Sequence, residues 1–151
     1  MIFGKTVEQW EELNGYNTAN EINHQADPRL KTFDLVRNQK DELNKFIEPF
    51  KKSGQIIFSG AGTSEFVGST LVPMLQERYF GRVHSIATTD IVADPKQYIS
   101  PTEDILVVSF GRSGNSPESV ATVDLANQIN PNTKHLIITC NHEGSLALRD
   151  G

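Results

Sequence analysis

Apolar positions divide the chain into two textures. Up to about residue 53 they recur at helical spacing in a polar background: Leu30, Phe33, Leu35/Val36, Leu43, Phe46/Ile47 and Phe50. Pro28 suits a first helical turn, Lys51-Lys52 a cationic last turn and Gly54 a stop. One long amphipathic helix is therefore expected from Pro28 to Lys52. A short helix over Thr18–Gln25 precedes it and ends at Asp27-Pro28, because the residue before proline is pushed out of the α region.

After Gly54 short β-branched runs alternate with helical patterns. Strands are predicted at Gln55–Ser59, Arg82–Ala87, Asp104–Phe110 and Lys134–Thr139. Helices are predicted at Ser64–Tyr79 and Pro117–Gln128, with Pro73 kinking or shortening the first. Continuous apolar strands between helices indicate a parallel sheet covered on both faces, an α/β fold. The reading is a helical segment over 1–53 packing on an α/β domain over 54–151. Ser145–Arg149 supply only one or two turns where a doubly wound sheet would continue, so a longer parent protein is expected.

Composition narrows the partners. With 151 residues, 37% hydrophobic and 22% charged, the chain fits one globular domain. A net charge of -5 disfavours nucleic acid, whose binders carry a basic face. No apolar run approaches a membrane span and no signal peptide opens the chain, so a cytoplasmic protein is expected. The single cysteine, Cys140, is expected to be a small buried hydrophobe. His24, His84 and His135 lack metal spacing; no metal and no cofactor are predicted.

Two loops carry the candidate chemistry. In an open parallel sheet, ligands bind beyond the carboxyl ends of the strands. The first loop, Ser59-Gly60-Ala61-Gly62-Thr63-Ser64-Glu65, sets two hydroxyls beside the free N–H groups of a helix start, which favour anions. It is not a dinucleotide fingerprint, because Glu65 stands where the third glycine belongs. The second, Gly111-Arg112-Ser113-Gly114-Asn115-Ser116-Pro117-Glu118-Ser119, combines a small, donor-rich stretch with a helix start specified by Ser116, Pro117 and Glu118. Such a nest suits a phosphate monoester, with Arg112 available for a charge-assisted bond.

These loops resemble the two signature loops of SIS (sugar isomerase) domains. The second loop and the helical lead Thr18-Ala19-x-Glu21-Ile22 are similar to those of the AgaS-type tagatose-6-phosphate ketose/aldose isomerases, a group also assigned as galactosamine-6-phosphate deaminases. The resemblance implies a three-layer α/β/α fold with a five-stranded, flavodoxin-like parallel sheet, and a first SIS domain of two in tandem. It further implies a phosphorylated sugar or amino sugar as ligand and a homo-oligomer, without nucleic acid or membrane. Carried over by position, Thr63, Ser64, Ser113, Asn115 and Ser116 become the phosphate and sugar cradle, and Gly62 and Arg112 complete the candidate site from the reading of the loops themselves. Gly111 departs from the pattern, standing where glucosamine-6-phosphate synthase-like members have a serine. A third loop, Thr139-Cys140-Asn141-His142-Glu143-Gly144-Ser145, matches weakly.

Isomerisation and deamination both begin with proton transfer at carbon, which needs a base. Glu65, Glu118 and His142 are the candidates here, and for each an ordinary helix-start or solvated role outweighs catalysis. The resemblance places the base in later sequence and partner subunits, so the isolated chain is expected to lack the full catalytic set. The parent is then an isomerase or deaminase. A regulatory, sugar-phosphate-sensing SIS module is the alternative.

Overall fold

The computed structural model describes residues 1–79 and 81–149. Two compact units emerge, Met1–Lys45 and Phe46–Gly151. The first holds α1 (Val7–Glu12), α2 (Tyr16–His24), α3 (Ala26–Asn38) and the start of α4 (Lys40–Lys52). Thr6 and Gln9 close a reciprocal capping box on α1.

The expected single helix is thus two. Pro28 does lie in the first turn of α3, but α3 stops at Asn38 and Gln39 sits at φ -98°, ψ 7°. The physical reason is legible in the charges. Arg37 occupies a last turn and Asp41 and Glu42 a first turn, a stop beside a start. No apolar residue falls between Val36 and Leu43 to hold the two together.

The second unit is a four-stranded, all-parallel sheet of order β2-β1-β3-β4. Its strands are β1 (Gln55–Gly60), β2 (Val83–Ala87), β3 (Ile105–Gly111) and β4 (Lys134–Thr139). The resemblance implied five strands; four are present among the described residues. Successive residues of each strand face opposite sides, so one strand feeds two cores. Ile56, Phe58, Leu106 and Val108 pack with Phe46, Ile47 and Phe50 of α4 and Leu71, Val72 and Leu75 of α5 (Thr63–Arg78). Ile57, Ile105 and Val107 pack on the other side with Ile91 of α6 (Thr88–Ala93), Tyr98 of α7 (Pro95–Tyr98) and Ala126 of α8 (Pro117–Ile129). This is the three-layer arrangement of an α/β/α domain.

Three details depart from expectation. Pro73 does not shorten α5, which runs on for five residues to Arg78. The link between β2 and β3 is not plain loop but α6 and α7, the latter opened by Pro95 at its first position. Cys140 is exposed, not buried, because β4 ends at Thr139 and the chain turns outward. No helix among the described residues is long and apolar enough to cross a membrane.

His135, on β4, supplies a titration that the sequence did not suggest. Its Nε2 lies 2.9 Å from Asn127 Oδ1, and its Nδ1 is buried without a partner among the described residues. Donation from Nε2–H to that oxygen leaves Nδ1 a bare acceptor, the neutral form. Burial first, and Lys134 second, hold the imidazole below its ordinary pKa of 6.5. The unfolded chain therefore binds a proton that the folded chain refuses. Stability should be intact above about pH 6.5 and fall as pH drops from there toward the folded pKa. Urea unfolding between pH 7.5 and 5 checks this: His135→Gln should flatten the decline, and an unchanged slope would remove His135 as its cause.

Candidate functional site

The sheet order fixes where a site can form. The chain runs from β1 outward to β2, then crosses back over β1 to β3. The direction of winding reverses between β1 and β3, which makes the crevice beyond their carboxyl ends the topological switch point. These strands pair in parallel with Ser59 opposite Ser109. The loops that follow them, 60–65 and 111–119, therefore leave the same edge of the sheet side by side.

In the first loop Gly62 is the N-cap of α5, with φ 57° and ψ -125°, backbone that only glycine adopts without strain. No side chain caps this helix start. Among the described residues, the N–H groups of Gly62 and Thr63 find no acceptor, nor do the hydroxyls of Thr63 and Ser64 make a bond. In the second loop Ser116 is the N-cap of α8 with Pro117 at its first position, as expected. Its hydroxyl, however, does not cap; it lies 3.0 Å from Ser119 Oγ. Ser113 Oγ accepts from Asn115 N–H at 3.3 Å. The N–H groups of Ser113, Gly114 and Ser116 have no partner among the described residues. Arg112 is exposed, and no carboxylate pairs with it among the described residues.

Asn115 is spoken for. Its Oδ1 accepts from both Ser145 N–H, at 2.8 Å, and Ser145 Oγ, at 3.0 Å. Asn141 returns the contact, its Nδ2 donating to the Ser113 carbonyl at 3.0 Å. The third loop therefore lies directly against the second. Gly144 makes this possible: a Cβ there would sit 2.5 Å from the Ser113 carbonyl oxygen. The space beside Gly111 faces Leu146, whose Cδ1 would lie 3.2 Å from an added Cβ.

The three proton-transfer candidates do not converge. Glu65 receives a hydrogen bond from Ser69 Oγ at 2.5 Å and another from Ser85 Oγ at 3.2 Å, on the α5–β2 side. Glu118 is half-buried in the first turn of α8 and has no side-chain bond among the described residues. His142 is almost fully exposed, 4.0 Å from the Glu143 carboxylate.

Beneath the loops lies a layer of buried hydroxyls that sequence reasoning missed. Ser59 donates to the Ile86 carbonyl at 2.9 Å, and Thr88 to the Gly60 carbonyl at 3.3 Å. Thr122 donates to the carbonyls of Glu118, at 2.8 Å, and Thr88, at 3.4 Å. Ser109, 2% exposed, has an unpartnered Oγ. The available signal was a serine near the end of each of β1 and β3, and Thr88 opening a helix straight after β2. Two open clefts of about 480 and 420 Å³ share His84, Ile86 and Tyr98, and so follow the free edge of β2, not these loops.

Proteins of known sequence and structure resemble this chain over most of its length. The model of the SIS domain matches residues 50–150. The chain is 44% identical over 131 residues to the D-galactosamine-6-phosphate deaminase AgaS of Escherichia coli, covering 85% of this chain and 34% of that one. The corresponding protein of Shewanella sp. (strain ANA-3) is 37% identical over 147 residues, covering 94% and 38%. The crystal structure of tagatose-6-phosphate ketose/aldose isomerase from Escherichia coli superposes with a TM-score of 0.80 at 43% identity, over 86% of this chain and 36% of that one. The chain thus spans little more than a third of the length of these relatives. It belongs to the SIS domain family.

Proposed function

We propose that the chain is the sugar-phosphate-binding portion of a ketose/aldose isomerase or an amino-sugar-6-phosphate deaminase. The observation that carries this reading is the pair of donor-rich loops at the ends of β1 and β3. Together they offer unpaired N–H groups of Gly62, Thr63, Ser113, Gly114 and Ser116, with hydroxyls from Thr63, Ser64, Ser113 and Ser116. Several short-range donors converging from two helix starts suit the three peripheral oxygens of a phosphate monoester. Arg112 adds the one cation at the rim. Likeness to proteins named for galactosamine-6-phosphate and tagatose-6-phosphate supports the choice of ligand class. That these relatives are named as enzymes weighs against the regulatory alternative.

In this reading Gly62, Thr63, Ser64, Arg112, Ser113 and Ser116 hold the phosphate end, and Asn115 acts beside them. Residues 54–151 form the first SIS domain, with 1–53 as its helical lead, in a cytoplasmic homo-oligomer. Glu65 is a poor base, because two hydroxyls already bind its carboxylate. The proton-transfer groups are assigned to the remainder of the parent protein. The isolated chain should therefore turn over neither sugar phosphate; robust turnover would place the base among Glu118, His142 and their neighbours.

Binding is tested by thermal unfolding with galactosamine-6-phosphate, tagatose-6-phosphate, glucosamine-6-phosphate and NAD. A ligand at a hundred times its Kd should add about 2.7 kcal/mol of stability. Ser113→Ala and Thr63→Ala should each weaken sugar-phosphate binding by about ten- to a hundredfold, the worth of ~1.5–3 kcal/mol for a hydrogen bond to a charged group. Stabilisation by NAD alone, or undiminished binding in both variants, would refute the cradle.

Self-association is tested separately. β4 is an edge strand with Ile138 48% exposed, a template for pairing. Light scattering should show a mass rising with concentration, and a monomer throughout would count against the homo-oligomer.

A further inference from the structure

The loop after β4 does more than lie beside the second loop. It takes three successive carbonyls of that loop in order. Thr139 Oγ1 donates to the Arg112 carbonyl at 3.4 Å, Asn141 Nδ2 to that of Ser113 at 3.0 Å, and Leu146 N–H to that of Gly114 at 2.9 Å. Every peptide bond here is trans, so the C=O and N–H of one peptide unit point in opposite directions. Turning three consecutive carbonyls toward the third loop therefore turns the next N–H groups, those of Ser113, Gly114 and Asn115, the other way. Asn115 N–H is then taken by Ser113 Oγ. Those of Ser113 and Gly114 stay unpaired.

We propose that the loop Thr139–Leu146 is the positioning element of the phosphate nest, with Asn141 and Asn115 as its reciprocal clamps. Asn115, assigned to the cradle by family position, here orients the third loop through Ser145 and does not touch the ligand. The loop is itself held firmly. Leu146 is fully buried, Asn141 Oδ1 accepts from Glu143 N–H at 3.1 Å, and Arg149 makes a two-pronged pair with Asp124 of α8 at 2.9 and 2.7 Å. The proposal rests on the sugar-phosphate reading, but its geometry exists without ligand.

The experiment therefore has two readouts on the same chain. Amide hydrogen exchange in the free protein reports the clamp alone, and the Kd of galactosamine-6-phosphate reports the nest. Asn141→Ala and Asn115→Ala should each speed exchange at Ser145 and Leu146 by about tenfold and raise the Kd by roughly three- to tenfold, as loss of an orienting hydrogen bond implies. Asn115→Asp keeps an acceptor for Ser145 and should restore the slow exchange. A raised Kd with exchange unchanged in both alanine variants would make the asparagines ligand contacts and overturn the proposal. Faster exchange with an unchanged Kd would overturn it equally, since the loop would then position nothing. Failure of the wild-type chain to bind galactosamine-6-phosphate would instead sink the sugar-phosphate reading, and the role of the clamp with it, whatever the exchange shows.

Discussion

Everything at the candidate site depends on the parallel pairing of β1 with β3. Ser59 lies opposite Ser109 in that ladder, so the two strands end almost level and release their loops at one edge. A register shifted by two residues would preserve which face each side chain takes but would separate the loops by about 7 Å, at roughly 3.3 Å per residue. Loops that distance apart would no longer leave the sheet side by side. The register is in turn held by the alternation of Ile56, Ile57 and Phe58 on β1 and Leu106, Val107 and Val108 on β3 into two separate cores. A slip of one residue would exchange the cores and set Ser109 among apolar side chains. The hydrophobic pattern of the strands and the geometry of the candidate site are therefore one constraint.

That constraint explains why polar groups are buried where they are. Loops cannot be sealed under a helix layer without satisfying their backbone, and here hydroxyls do so. Thr88 binds the Gly60 carbonyl and Thr122 binds the Thr88 carbonyl, so a short chain of threonines ties the first loop through α6 to α8. The second loop is supported by the third from the opposite side. The two loops are thus braced by different elements, and the surface between them carries N–H groups and hydroxyls with few internal partners.

Much of this could be read from the chain, and the gaps have physical causes. The four strands were found within a residue or two, because β-branched runs such as Ile105–Val108 have no competing helical period. The starts of α5 and α8 were found because Gly62 and Ser116-Pro117 are strong local signals. The break at Gln39 leaves no mark in the apolar spacing, and only the charge reversal from Arg37 to Asp41 signals it. Helices α6 and α7 were missed because six and four residues are too few for periodicity to register. Cys140 was misjudged by residue type; its position one past the last ladder pair decides its exposure. Asn115 shows the limit most clearly. Its position next to Gly114 is a sequence fact, whereas its bond to Ser145, thirty residues on, depends on the β3–β4 register.

The charge balance completes the argument about what the two loops can do. With a net charge of -5 the chain as a whole repels a phosphate at long range, and only Arg112 opposes this within the loops. Attraction must then come from neutral dipoles acting over a few ångströms, which is the character of N–H groups and hydroxyls at helix starts. Such donors work only when held in place, because a mobile dipole averages away what a mobile charge retains. An acidic domain that binds an anion through dipoles thus needs rigid loops more than a basic one would. The hydrogen bonds from Thr139, Asn141 and Leu146 to three consecutive carbonyls supply that rigidity from the side opposite the Ser113 and Gly114 N–H groups.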